Sequence, residues 1–177
     1  MRQAILDFVS NKLGIELEHA TEHKDLAELI VQLRPREVVG GLTRYGGSND
    51  GAYLIPSSVT SLLDGCLSPG VGHTIAFESH LYNAFGLKTV LVDPSNEIIA
   101  QTLPDSIHLK HLLASVPSER SNSITLEQVI NENFAMENNL VLQMDIEGSE
   151  YGVLLTAPES TLKRFLVVIV EVLLPLV

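Results

Sequence analysis

The stretch NLVLQMDIEGSEYGVLL, residues 139–155, constrains the fold more than any other part of the chain. Its first half, Leu140–Met144, is an apolar run with one polar break, and a short run of this kind reads as a buried strand. Three acids follow at once, Asp145, Glu147 and Glu150, with Gly148 among them. Carboxylates are rarely buried unless they are paired, so a cluster where a core strand ends is poor packing material. In open α/β sheets the ligand crevice lies at the carboxyl ends of the strands. Asp145 and Glu147 are therefore candidate catalytic residues. The structural rival is a turn in which Asp145 caps the next helix.

A second segment points the same way. LSPGVG, residues 67–72, follows a turn at Asp64 and Gly65. Residues 74–85 are then helical in pattern, with Phe77, Leu81, Ala84 and Phe85 on one face, and Gly86 stands where a helix-ending glycine belongs. Residues 88–92, KTVLV, read as a strand that ends at Asp93. Gly72 and Asp93 are about 20 residues apart, which is the layout of a nucleotide-binding βαβ unit. Glycines let the backbone approach a ligand, and the terminal acid can accept hydrogen bonds from ribose hydroxyls. The third glycine of a dinucleotide fingerprint is absent, because Ile75 takes its place. That disfavours a pyrophosphate packed on the helix N-terminus. A ligand with ribose and adenine but no phosphate, such as S-adenosylmethionine, is acceptable.

The remaining segments frame these two. Ile5, Phe8, Val9 and Leu13 are spaced for a first helix ended by Gly14. A second helix is expected over 24–33, with Leu26, Leu29, Ile30 and Leu33 on one face and Pro35 as its stop. Residues 44–56, RYGGSNDGAYLIP, hold a tight glycine-rich turn before a short strand at 53–55, a pattern that also suits an ordinary hairpin. Residues 107–113 are a third strand candidate; His108 and His111 would face opposite sides of it, which argues against metal binding there. Thr125 and Gln128 fit a capping box, with Ile124 and Val129 as a hydrophobic staple, and the helix so opened turns Leu126, Val129, Ile130 and Phe134 inward. Pro158 breaks the chain, 159–164 suit a short helical turn, and 165–172 form the most β-branched run, read as a central strand buried on both faces.

Size and charge narrow the function. A chain of 177 residues suits one domain of ordinary size, and 45% hydrophobic residues can build its core. The net charge of −11 argues against nucleic acid, which requires a basic footprint. The lone Cys66 excludes an internal disulfide, reads as a buried inert thiol, and fits a reducing, cytoplasmic setting. The first residues carry Asp7 and lack a long apolar core, so a signal peptide is not expected. The apolar tail from Phe165 is about 13 residues long, interrupted by Glu171 and Pro175, and short of the roughly 20 a membrane span needs.

Taken together, RYGGSNDGAYLIP, LSPGVGHTIAFE followed by LVDP, and SITLEQVI followed by LVLQMDIEGSEYGVLL resemble the FkbM-like branch of class I S-adenosylmethionine-dependent methyltransferases. The match runs from Arg44 to Val172, and the acidic motif is its most specific piece. The resemblance implies an α/β fold: a Rossmann-like three-layer sandwich, a mostly parallel sheet with helices on both faces. It implies a methyltransferase-like domain over 41–177, and the helical spacing before it gives an N-terminal helical segment over 1–40 that adds nothing to the match. Carried over, Gly70 and Gly72 line the methionine part of the cofactor, Asp93 holds its ribose, and Asp145 and Glu147 lie near the reacting methyl. Glu78 matches a cofactor-binding motif position, and Asp50 also matches a motif position; the resemblance gives neither a role. Two departures stand out. Ala52 replaces a usual glycine, which would strain the loop if that position needs a positive φ. The family's last helix and antiparallel strand pair have no counterpart, since only LLPLV follows the fifth strand.

The implied reaction is O-methylation of a small, sugar-like hydroxyl compound, with Asp145 taking the proton and Glu147 as helper. Carboxylates would suit a divalent metal, but two acids do not establish one. Two other readings remain open: a metal-dependent nucleotide-sugar transferase, and a non-catalytic remnant that has kept the core. The expected partner is a small-molecule acceptor, with no nucleic acid and no membrane, and an unblunted C-terminal strand invites self-association through its edge.

Overall fold

A computed structural model describes residues 23–95, 103–118, 121–134 and 137–172. The first helix expected from the sequence lies outside them. The chain divides into two compact units, Met1–Glu37 and Val38–Val177. In the first unit, α1 spans His23–Gln32.

In the second unit, β1 (Leu42–Tyr45) pairs antiparallel with β2 (Tyr53–Pro56) across the 46–52 turn. A 3-10 turn leads to β3 (Gly65–Pro69), α2 (Ala76–Phe85) and β4 (Lys88–Val92). Next come β5 (Ile107–Leu109), β6 (Leu112–Leu113) and β7 (Ser123–Ile124). The unit closes with α3 (Leu126–Asn133), β8 (Leu140–Met144), α4 (Glu150–Thr156), α5 (Glu159–Leu162) and β9 (Phe165–Val170).

The main sheet has five parallel strands in the order β5-β4-β3-β8-β9. All five residues of both β3 and β8 are buried, because helices cover both faces of these inner strands. On one face Leu67, Val90, Val92, Leu140, Leu142 and Met144 pack with Leu126, Val129, Ile130 and Phe134 from α3 and its end, and with Val153 of α4. On the other, Cys66, Val141 and Val167 pack with Phe77 and Leu81 of α2 and with Tyr45 and Ile55 of the hairpin. This is a mixed α/β fold compatible with a Rossmann-like arrangement. Among the described residues, no helix is long and apolar enough to cross a membrane.

Local signals account for much of this. Thr125 Oγ1 accepts the Gln128 N–H at 3.2 Å while Gln128 Oε1 accepts the Thr125 N–H at 3.0 Å, the reciprocal box that starts α3. Gly86 takes φ +65° and its N–H donates to the Tyr82 carbonyl, ending α2. Ala52 is not among the residues with positive φ, so its side chain brings no backbone strain.

Two sequence expectations are corrected. The segment 107–113 is not one strand. Lys110 and His111 break it, with the Asn122 side-chain amide donating to the Lys110 carbonyl, and Leu112 turns away to pair with Ser123 in a separate two-stranded sheet. The run 165–172 is not a central strand buried on both faces. It ends as a strand at Val170, pairs with β8 alone among the described strands, and leaves Leu166 and Val168 41% and 48% exposed. A run of β-branched residues signals a strand but not which face of it is covered.

Candidate functional site

Strand order reverses at β3. The chain moves outward from β3 to β4 and β5, then returns to place β8 on the opposite side of β3. Such a switch point opens a crevice beyond the carboxyl ends of the two middle strands. The Asp145 N–H donates to the Pro69 carbonyl at 3.1 Å and ties those ends together. Gly70 follows with φ +77°, and a β-carbon there would collide with the Asp145 carbonyl oxygen. Only glycine permits both the conformation and the approach. Gly72, at φ +59°, turns the chain again before α2.

Two clefts meet at this turn, sharing Gly70, Gly72, Asp145 and Glu147 as walls. The larger, about 290 Å³, adds Val92, Asp93, Pro94, His111, Leu112, Leu113, Ile146 and Ser149. The smaller, about 240 Å³, adds Asp50, Gly51, Tyr53, Val71, His73, Thr74, Phe77, Glu78 and Gln143. The six candidate residues from the sequence thus line one cleft or the other. Among the described residues, neither wall carries a lysine or arginine.

At Asp93 one carboxylate oxygen accepts the Ser95 N–H at 2.7 Å. The other lies 3.4 Å from the Gly72 N–H, a long contact. The local turn at Ser95 fixes the side chain and aims the second oxygen toward the glycine turn.

Glu150 takes over the structural part of the acidic motif. It is 1% exposed, and its carboxylate accepts the Ile146 N–H at 2.8 Å and the Gly148 N–H at 3.0 Å. This clamp holds Glu147 and Gly148 at φ +56° and +100°. Asp145 does not cap the helix: the N-cap of α4 is Ser149, which makes no side-chain cap bond. Its carboxyl is instead partly buried at the wall common to both clefts. Burial pushes its pKa up, and the negative charges of Glu171, Glu147, Glu150 and Asp50 push it further.

The 46–51 turn forms the outer wall of the smaller cleft. Arg44 donates from Nε to the Gly47 carbonyl at 2.9 Å and from its guanidinium end to the Asn49 carbonyl at 3.2 Å. The Gly46 N–H donates to His80 Nδ1 on α2 at 3.2 Å. These bonds give the 44–53 segment the structural role its sequence left open and set Asp50 beside Asp145.

Sequence reasoning missed several residues in these walls or behind them. Gln143 was visible as the polar break in a buried strand. Glu171 stood out as an acid in an apolar tail, but nothing tied it to Asp145; the structure does, through its N–H bond to the Met144 carbonyl at 2.9 Å. Ser68 and Leu112 carried no signal. His108 lies on β5 and His111 in the break that follows it, where it lines the larger cleft. Among the described residues, no group of three or more His, Cys, Asp or Glu is arranged to hold a metal ion.

No family model matches the chain, and no curated protein and no solved structure matches it.

Proposed function

We propose that the protein is an FkbM-like class I methyltransferase that transfers the methyl group of S-adenosylmethionine to a small hydroxyl-bearing, sugar-like acceptor. The observation that carries this reading is the pair of clefts joined at Gly70, Gly72 and Asp145. The larger has the apolar walls of Leu112, Leu113 and Val92 for an adenine, with Asp93 at its edge for ribose hydroxyls. The smaller is acidic, through Asp50, Asp145 and Glu147, and suits the cationic sulfonium and ammonium groups of the cofactor. Walls without lysine or arginine among the described residues suit phosphates poorly, which disfavours a dinucleotide or a nucleotide sugar. The free, buried thiol of Cys66 is compatible with a cytoplasmic setting.

Methyl transfer is an in-line displacement. S-adenosylmethionine, when bound, would supply a methyl group that passes to the acceptor oxygen as the sulfur–carbon bond breaks and the sulfur becomes neutral. Holding the two reactants aligned supplies roughly 7–11 kcal/mol of barrier lowering. Asp145 takes the acceptor's proton, and its raised pKa makes it a stronger base than an exposed aspartate. Glu147, on the same turn, assists by holding the acceptor.

A thermal melt tests the cofactor assignment. S-adenosylhomocysteine raises the melting temperature and NAD leaves it unchanged; a shift with NAD alone contradicts the reading.

A further inference from the structure

A buried polar chain runs from the core into the smaller cleft, and the function proposed above does not use it. Glu78 on α2 and Gln143 on β8 are each 3% exposed, and Ser68 on β3 is fully buried between them. Ser68 Oγ is in hydrogen-bond contact with Glu78 Oε1 and lies 2.5 Å from Gln143 Oε1. Gln143 Nε2 donates to the Tyr53 hydroxyl at 3.0 Å. Tyr53 sits on β2 in the cleft wall, its ring edge-on to Phe77.

A serine hydroxyl has one proton and cannot donate to two oxygens. Glu78 Oε1 and Gln143 Oε1 both face that hydroxyl, so one contact must be served by a proton from elsewhere. We propose that the chain runs outward: Glu78 donates to Ser68, Ser68 donates to Gln143, Gln143 donates to Tyr53, and the Tyr53 hydroxyl is left as a donor into the cleft. With the Gln143 amide turned so that Oε1 meets Ser68 and Nε2 meets Tyr53, only this direction gives every buried polar atom of the chain a partner, which a low-dielectric site demands. It requires a neutral Glu78 carboxyl. Burial pushes the Glu78 pKa up and outweighs the hydrogen bonds from Ser68 and the backbone, which push it down; the titratable side chains that sense its charge are Cys66 on β3 and Tyr53 on β2. The opposite direction has an ionised Glu78 accepting from Ser68, a reversed Gln143 amide, and Tyr53 donating inward. Tyr53 would then present only a lone pair to the cleft.

The direction decides what the cleft recognises. Its wall is rich in carboxylates and has no lysine or arginine among the described residues, so an acceptor oxygen on a ligand finds few side-chain donors. An outward chain makes Tyr53 such a donor, a positioning residue for the carboxylate of the cofactor's methionine part. That last step rests on the proposed function; the direction of the chain does not.

Carbon-13 NMR of glutamate carboxyls in the ligand-free protein tests the direction, with the Glu78 signal assigned by its loss in Glu78→Gln. Glu78 is expected to hold the protonated chemical shift at pH 7, and a carboxylate shift overturns the proposal. Glu78→Gln retains a donor toward Ser68 and is expected to melt like the wild type, whereas a clear fall in its melting temperature argues for the inward chain. S-adenosylhomocysteine is expected to bind Tyr53→Phe on the order of tenfold more weakly. Unchanged affinity removes Tyr53 as a ligand donor. If the wild type itself does not bind this probe, the cofactor assignment fails while the NMR result still decides the chain.

Discussion

Asp145 and Glu150 show how one motif divides its labour. Both are acids at the end of β8, yet Glu150 is consumed by two backbone N–H groups while Asp145 is left at the common wall of the clefts. Asp145→Asn should therefore retain most cofactor affinity and lose turnover, read as separate changes in Kd and kcat; equal turnover returns Asp145 to a structural role. The same residue sets a pH expectation. Its folded pKa is raised, so the proton is held above the ordinary 3.8 and the base form appears later as pH rises. The acidic limb of kcat/KM should thus fall at a higher pH than an exposed aspartate would give. The raised pKa also has a stability consequence. The native state binds more protons than the unfolded chain between the two pKa values, so this group's contribution falls as pH rises through that window. Asp145→Asn should flatten stability there, measured by melting temperature against pH.

At the scale of elements, the glycine turn and the acidic turn lean on each other. Gly70 lies against the Asp145 carbonyl, and the Glu150 clamp holds the backbone that follows Asp145. Glu150→Ala leaves two backbone donors without their charged partner, each worth about 1.5–3 kcal/mol when intact. The expected result is a drop in stability together with weaker cofactor binding, read by denaturant melts and titration. A loss confined to catalysis would mean that Glu150 acts in the chemistry. Legibility from sequence varied with the range of the signal. The capping box, the Gly86 stop and the β3-α2-β4 unit were readable because each is set by neighbouring residues. The 107–113 break was not, because it depends on Asn122 and on pairing with Ser123. Asp145, Glu147 and Asp93 were legible as strand-end acids. Glu171 and the Ser68–Gln143 contact were not, since only the fold brings residues so distant in sequence together.

For the whole molecule, the sheet has three inner strands, β4, β3 and β8, and two outer strands that differ. β5 is followed by the β6-β7 pair, whereas β9 pairs only with β8 among the described strands and exposes Leu166 and Val168. A strand edge of this kind pairs readily with another, and a second copy offers the same edge related by a two-fold axis. Self-association through β9 is expected, and Val168→Lys should reduce it. Light scattering on both proteins checks this: a monodisperse wild-type monomer contradicts it.

The proposed activity depends most on the crevice at the β3–β8 switch point being a site for S-adenosylmethionine. In that proposal Asp93 holds the ribose, and a carboxylate accepting hydrogen bonds there is worth about 1.5–3 kcal/mol. Calorimetric titration with S-adenosylhomocysteine, against the wild type and a folded Asp93→Ala protein, is the most direct measurement. The expected outcome is binding to the wild type, affinity roughly tenfold to a hundredfold weaker in the variant, and no heat with NAD. Binding of NAD, or equal affinity of wild type and Asp93→Ala for S-adenosylhomocysteine, would contradict the proposal.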